Sequence, residues 1–168
     1  MADKMKQKIL VTGGIGYIGS HTVVDLIENG FEVISVDNGL NSDFSVLEGI
    51  YSITGKKVLN YPLDLCDPDT CKTIFSEHKD IAGIIHFAAL KAVGESVQKP
   101  ALYFKNNLLS LIHVLEYAVM HKVGAFIFSS SCTVYGEPDH MPVNEDTPLR
   151  EAESPYGRTK QMGEQIVK

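Results

Sequence analysis

The chain has 168 residues, with 15 Lys and Arg against 21 Asp and Glu, a formal net charge of −6 and 44% hydrophobic residues. This is the composition of one globular domain with a sizeable core, and it argues against a nucleic-acid surface, which needs clustered Lys and Arg. No apolar run reaches the ~20 residues of a membrane-spanning helix, and the polar start Met1–Lys8 leads into no signal-peptide stretch.

Strand-like and helix-like segments alternate along the sequence. Lys8–Thr12 (KILVT) reads as a buried strand, and Tyr17–Asn29 as a helix that Gly30 stops. Glu32–Asp37 is a second strand, and a helix follows near Ser45–Ile53. Lys57–Asp64 carries a third strand. Asp67-Pro68 then opens a helix to about His78, with Asp at the N-cap and Pro at N1. Ile81–Ala89 is continuously apolar, as expected of a strand covered on both faces. A long helix spans Pro100–His121 and a fifth strand Ala125–Ser131. After a loop from Cys132 to Glu153, Ser154-Pro155 starts a last helix. The alternation predicts an α/β fold, a doubly wound parallel sheet of Rossmann type. Because the sequence stops inside a helical pattern, residues 1–168 are expected to be the N-terminal part of a longer protein.

Between the first strand and the first helix stands Gly13-x-x-Gly16-x-x-Gly19. In this context the first glycine permits a tight turn, the second lets backbone approach a pyrophosphate, and the third lets helix pack on strand. The helix N-terminus then offers free N–H groups and a partial positive charge to phosphates. Asp37, at the end of strand two, is placed to accept both ribose hydroxyls of an adenosine and to repel a 2′-phosphate, favouring NAD over NADP. Asp64, after strand three, is placed to bond an adenine amino group. Tyr156 and Lys160, four apart, share a helix face. A free Tyr has a pKa near ~10. A neighbouring ammonium favours the phenolate, which can take a proton from a sugar hydroxyl. Ser131, at the end of strand five, can bond the same hydroxyl.

The glycine motif together with Tyr-x-x-x-Lys resembles the extended short-chain dehydrogenase/reductase family. The stretches TGGIGYIGSH, VDNGLNS, IIHFAALKAVGESV, FIFSSSCTVYG and SPYGRTK look like its hexose 4-epimerases, Leu90–Ser96 being the most specific run. The resemblance implies NAD-dependent inversion of a UDP-glucose or UDP-galactose C4 through a 4-keto sugar. It implies Tyr156 as the base, Lys160 on the nicotinamide ribose and Ser131 orienting the 4-hydroxyl. It also implies a cofactor lining of Gly13, Gly16, Tyr17, Ile18, Gly19, Asp37, Asn38, Asn41, Ser42, Asp64, Leu65, Phe87, Ala88, Ala89, Lys91 and Asn106, with Tyr156 and Lys160.

The same resemblance implies that residues 1–168 are an incomplete NAD-binding domain, cut before a substrate-binding lobe and itself inactive, and that the full-length protein is a homodimer paired through helices Pro100–His121 and Ser154 onward. Strand five is expected to be an exposed apolar edge. Other UDP-sugar epimerases or decarboxylases, and a silent NAD-binding module, stay open as alternatives. Ile15 replaces a small residue of the glycine loop, so its side chain must point away from the phosphates. Cys132 is read as a small buried hydrophobe. With Thr133 and Val134 it supplies none of the acids that 4,6-dehydratases use in this turn. Cys66, Cys71 and Cys132 fit no metal or disulfide pattern and read as reduced thiols of a cytoplasmic protein. The six histidines show no ligand spacing, so no metal is expected, and His86 reads as a core residue.

Overall fold

A computed structural model describes residues 7–168; most of the polar start read from the sequence, residues 1–6, lies outside the described residues. Five strands form one parallel sheet: β1 (Lys8–Thr12), β2 (Glu32–Val36), β3 (Leu59–Tyr61), β4 (Ile81–His86) and β5 (Ala125–Phe128), in the order β3-β2-β1-β4-β5. Six α-helices connect or flank them: α1 (Tyr17–Glu28), α2 (Val46–Thr54), α3 (Pro68–Glu77), α4 (Val93–Gln98), α5 (Pro100–Met120) and α6 (Pro155–Ile166). The strand order reverses direction between β1 and β4, the place where open α/β sheets bind ligands.

The period of two along β1 divides the core into two layers. Leu10 joins Ile34, Ile84, Ile74, Phe75 and Val114 under α3 and α5. Its neighbour Val11 joins Val23, Val33 and Ile50 under α1 and α2. β1 sits between β2 and β4, with Leu10 opposite Ile34 on one side and Ile84 on the other. This explains the unbroken apolar runs of the central strands.

Several boundaries differ from those the sequence suggests, most of all at the carboxyl ends of the last three strands. β3, β4 and β5 end at Tyr61, His86 and Phe128, so Leu63–Leu65, Phe87–Lys91 and Ser129–Ser131 are loops at the carboxyl edge. The apolar run of strand four continues past the ladder because Phe87 and Ala88 fold over β1: their N–H groups donate to Thr12 O (3.1 Å) and Thr12 Oγ1 (3.2 Å). The segment before Pro100 is helical as well. α4 is separated from α5 only by Lys99, whose φ of −130° and ψ of 56° are non-helical, as the residue before a proline prefers. Within the Cys132–Glu153 loop, Cys132–Tyr135 forms a 3-10 turn. Cys132 is exposed there, not buried, because the turn directs Val134 inward. β5 is an edge strand with Ile127 57% exposed, as expected.

Candidate active site

A cleft of about 400 Å³ runs along the carboxyl ends of the strands, from the loop after β3 to the N-terminal turns of α6. From β2 to β5 it crosses three strand steps of ~4.8 Å, or ~14 Å, enough for an extended dinucleotide. Every residue named from the sequence for the cofactor lining or for proton transfer lines it. The glycine loop and α1 supply Gly13, Gly16, Tyr17, Ile18 and Gly19. The β2 loop supplies Asp37, Asn38, Asn41 and Ser42, and the β3 loop Asp64 and Leu65. The β4 loop supplies Phe87, Ala88, Ala89 and Lys91, α5 gives Asn106, and the far end carries Ser131, Tyr156 and Lys160.

The glycine loop is tied to the end of β2 and to itself. Gly13 N–H donates to Val36 O (2.8 Å), and Gly16 N–H to Gly13 O (3.1 Å). Gly13 has a φ of +69°, and a Cβ there would lie 2.9 Å from Ala88 N. A Cβ at Gly19 would overlap the Gly13 carbonyl oxygen. The first and third glycines are therefore required by the chain's own packing. The first-turn N–H groups of α1, which have no partner inside the helix, face the cleft. Ile15 is 1% exposed and absent from the lining, so its side chain enters the core, as its bulk requires. A backbone cradle beneath a helix N-terminus suits a pyrophosphate.

Asp37 is half-buried. Its Oδ1 accepts from Gly39 N–H (2.9 Å) and Ser42 Oγ (2.9 Å), which shapes the β2 loop, and Oδ2 has no protein donor among the described residues. One oxygen thus holds the loop and the other is available to a ribose. Asp64 Oδ1 accepts from Cys66 N–H (2.9 Å), and its carbonyl accepts from Thr70 Oγ1 (2.6 Å). It therefore organises its own loop while lining the cleft. Asn106 lines the cleft, but the buried amide is Asn107. Its Oδ1 accepts from Leu90 N–H (2.8 Å), and its Nδ2 donates to Leu90 O (3.0 Å) and Thr159 Oγ1 (3.1 Å). Asn107 joins α5, the β4 loop and α6, a role that the adjacent pair of asparagines hid in the sequence.

At the other end, Lys160 is 4% exposed. Its Nζ donates to Ser129 O (2.6 Å), stands 4.8 Å over the Phe128 ring and lies 6.0 Å from the Tyr156 ring centre. Burial pushes its ammonium down to about 8. Tyr156 packs with Leu90 and the fully buried Tyr103. Ser131 caps the 3-10 turn: its Oγ accepts from Thr133 N–H (3.3 Å) and Thr133 Oγ1 (3.1 Å). With both lone pairs engaged, the Ser131 hydroxyl has only its proton left to offer. His86 lies behind the site in the core, with Nδ1 2.9 Å from Thr12 Oγ1; burial first, then the Lys160 charge, pushes its imidazole down to about 3. Ser129, Ser130, Leu63 and Ser110 also line the cleft. None stands at a recognisable spacing, so the sequence alone gave no signal for them.

A doubly wound sheet with a glycine-rich βα turn and a Ser–Tyr–Lys end defines a nucleotide-binding α/β protein of dehydrogenase-like build. The chain belongs to the family described as GDP-mannose 4,6 dehydratase, whose model matches residues 10–168. It is 48% identical over 163 residues to the UDP-glucose 4-epimerase uge1 of Schizosaccharomyces pombe, covering 95% of this chain and 45% of that protein. The crystal structure of UDP-glucose 4-epimerase from Bifidobacterium longum in complex with NAD+ and UDP superposes with a TM-score of 0.93 at 46% identity, over 96% of this chain and 48% of that one. The UDP-Glc/GlcNAc 4-epimerase of Campylobacter jejuni gives a TM-score of 0.89 at 35% identity, over 96% and 48%. The chain spans about half the length of the curated relatives it matches. Among the described residues no helix is long and apolar enough to cross a membrane.

Proposed function

We propose that the protein carrying this chain is an NAD-dependent UDP-glucose 4-epimerase, interconverting UDP-glucose and UDP-galactose. The observation that carries the reading is the continuity of one cleft, which joins the glycine loop and Asp37 to Ser131, Tyr156 and Lys160. Relatives named for this reaction, one of them holding NAD+ and UDP, support it. When bound, NAD would take up and return a hydride at C4 of the sugar.

This chain's residues do the rest. The backbone of Gly13–Gly19 and the α1 N-terminus hold the pyrophosphate, and the Asp37 carboxylate accepts from the adenosine ribose. Tyr156 takes the proton of the 4-hydroxyl and gives it back to the C4 oxygen of the 4-keto sugar once the sugar has turned its other face in the cleft. The Lys160 ammonium favours the phenolate and bonds the nicotinamide ribose. Ser131, whose acceptors Thr133 fills, donates to the sugar oxygen and steadies it as it becomes a ketone. The family model bears a dehydratase name, but the turn at Cys132–Tyr135 carries no acid to drive an elimination.

The Campylobacter jejuni relative supports a second reading, in which an N-acetylhexosamine is also accepted. Pairing of two copies is supported by the adjacent helices α5 and α6, which leave Val119, Met120, Met162 and Ile166 exposed. The three free cysteines are consistent with a cytoplasmic setting. Residues 1–168 alone are expected to turn over little, since the relatives are about twice as long.

The test is to incubate the full-length protein with UDP-galactose and, separately, with UDP-N-acetylgalactosamine, adding no NAD. Formation of UDP-glucose supports the first reading, and conversion of both sugars supports the second. A folded protein that releases NAD on denaturation but converts neither would refute both.

A further inference from the structure

The three residues assigned to proton transfer come from two separate segments. Tyr156 and Lys160 lie on α6, whereas Ser131 caps the 3-10 turn after β5. Between turn and helix runs the irregular loop of residues 136–153. Something must fix the turn against the helix, because a displacement of about 1 Å in a catalytic group can cost ~100-fold in rate.

Gln161, the residue after Lys160, is placed to do this. Its Nε2 donates to Val134 O in the turn (2.8 Å) and to Arg150 O in the loop, and its Oε1 accepts from Ala152 N–H (3.2 Å). Every hydrogen-bonding direction of the Gln161 amide except one acceptor site is thus spent on backbone. Val134 and Ala152 are buried, so those backbone groups would otherwise lack a partner. Packing reinforces the seam: a Cβ at Gly157 would lie 2.8 Å from Ala152 Cβ and 3.3 Å from Thr133 O. Thr133, in turn, holds Ser131 Oγ.

We propose that Gln161 is a positioning residue, latching the turn that carries Ser131 to the helix that carries Tyr156 and Lys160. The proposal rests on the epimerase reading for its kinetic consequence and on the geometry for the latch. Gln161 touches neither the cleft nor a reacting atom, so it acts through Ser131. Losing the amide frees the turn and withdraws the Ser131 proton from the sugar oxygen. The glycine loop, two strands away after β1, keeps its cofactor.

The test uses the full-length protein with Gln161→Met, which keeps length and loses all three bonds. Gln161→Glu serves as a second variant that keeps only the acceptor. Each is made alone and in a Ser131→Ala background. With the serine present, kcat falls ~10- to 100-fold while NAD content per folded molecule is unchanged. With Ser131 already removed, the further loss is under about twofold, the non-additivity of residues that act as a unit. Hydrogen exchange at the Ala152 amide rises about tenfold or more in Gln161→Met. An equal loss in both backgrounds would mean a general effect on folding and overturn the proposal, as would a kcat within about twofold of the parent. Should the parent convert no UDP-galactose, the epimerase reading has failed; exchange at Ala152 then decides the latch alone, and unchanged exchange refutes it.

Discussion

The two ends of the cleft are built differently. The end at the glycine loop is made of backbone: Gly13, Gly16 and Gly19 in one short βα turn, with Asp37 at the tip of the next strand. Its geometry is local and fixed by where a side chain cannot fit. The end at Ser131, Tyr156 and Lys160 is made of side chains brought together by other side chains: Asn107 from α5, Thr133 in the turn and Gln161 on α6. A site made of backbone is written in spacing. A site made of crossing hydrogen bonds is written in tertiary structure. The first should fail sterically when it is mutated and the second electrostatically.

The largest effect expected is at the side-chain end. In the proposed reaction Tyr156→Phe removes the group that exchanges a proton with the 4-hydroxyl, so turnover should fall by ~10²–10⁴ with bound NAD retained, measured by coupled assay and cofactor release. Loss of the cofactor together with activity would blur the contrast between the two ends.

At the backbone end, Gly19→Val should cost ~1–3 kcal/mol of stability through overpacking and lower cofactor content more than tenfold. Ile15→Ala, in the same loop but facing the core, should cost ~2–5 kcal/mol while folded molecules keep their NAD. Urea titration beside cofactor content separates the two outcomes. A smaller change is expected from Asp37→Asn. Losing a charge-assisted acceptor weakens NAD binding by ~1.5–3 kcal/mol and narrows its preference over NADP, which calorimetry with both dinucleotides would read.

The smallest effect is a pH slope. Burial pushes the Lys160 ammonium from its ordinary 10.5 to about 8. Between those values the folded chain binds fewer protons than the unfolded one. Stability from this group therefore rises with pH from about 8 towards 10.5. Denaturation midpoints of the parent should climb through that window relative to Lys160→Met; parallel profiles would contradict the burial of a charged Lys160.

The contrast also explains what the sequence disclosed. The sheet, its two-layer core and all nineteen named cleft residues follow from periodicity, glycine spacing and resemblance, and the structure gathers those nineteen in one place. α4 escaped notice because Ala92 offers no side-chain cap and Gly94 weakens the helical pattern. Asn107 was hidden by its neighbour Asn106, since nothing in an Asn-Asn pair tells which amide faces the core. Gln161 carries no motif at all: its three backbone partners lie between 9 and 27 residues away.

The proposed reaction oxidises and re-reduces a single sugar carbon within one cleft, without releasing the intermediate. The most direct measurement follows UDP-galactose deuterated at C4 through one turnover of the full-length protein in ordinary water, with no NAD added. The expected product is UDP-glucose with the deuterium still at C4, since in the proposed reaction only the hydroxyl proton passes through Tyr156. Deuterium lost to solvent would mean that C4 is inverted by proton exchange at carbon, and the assignment of the cleft would be wrong.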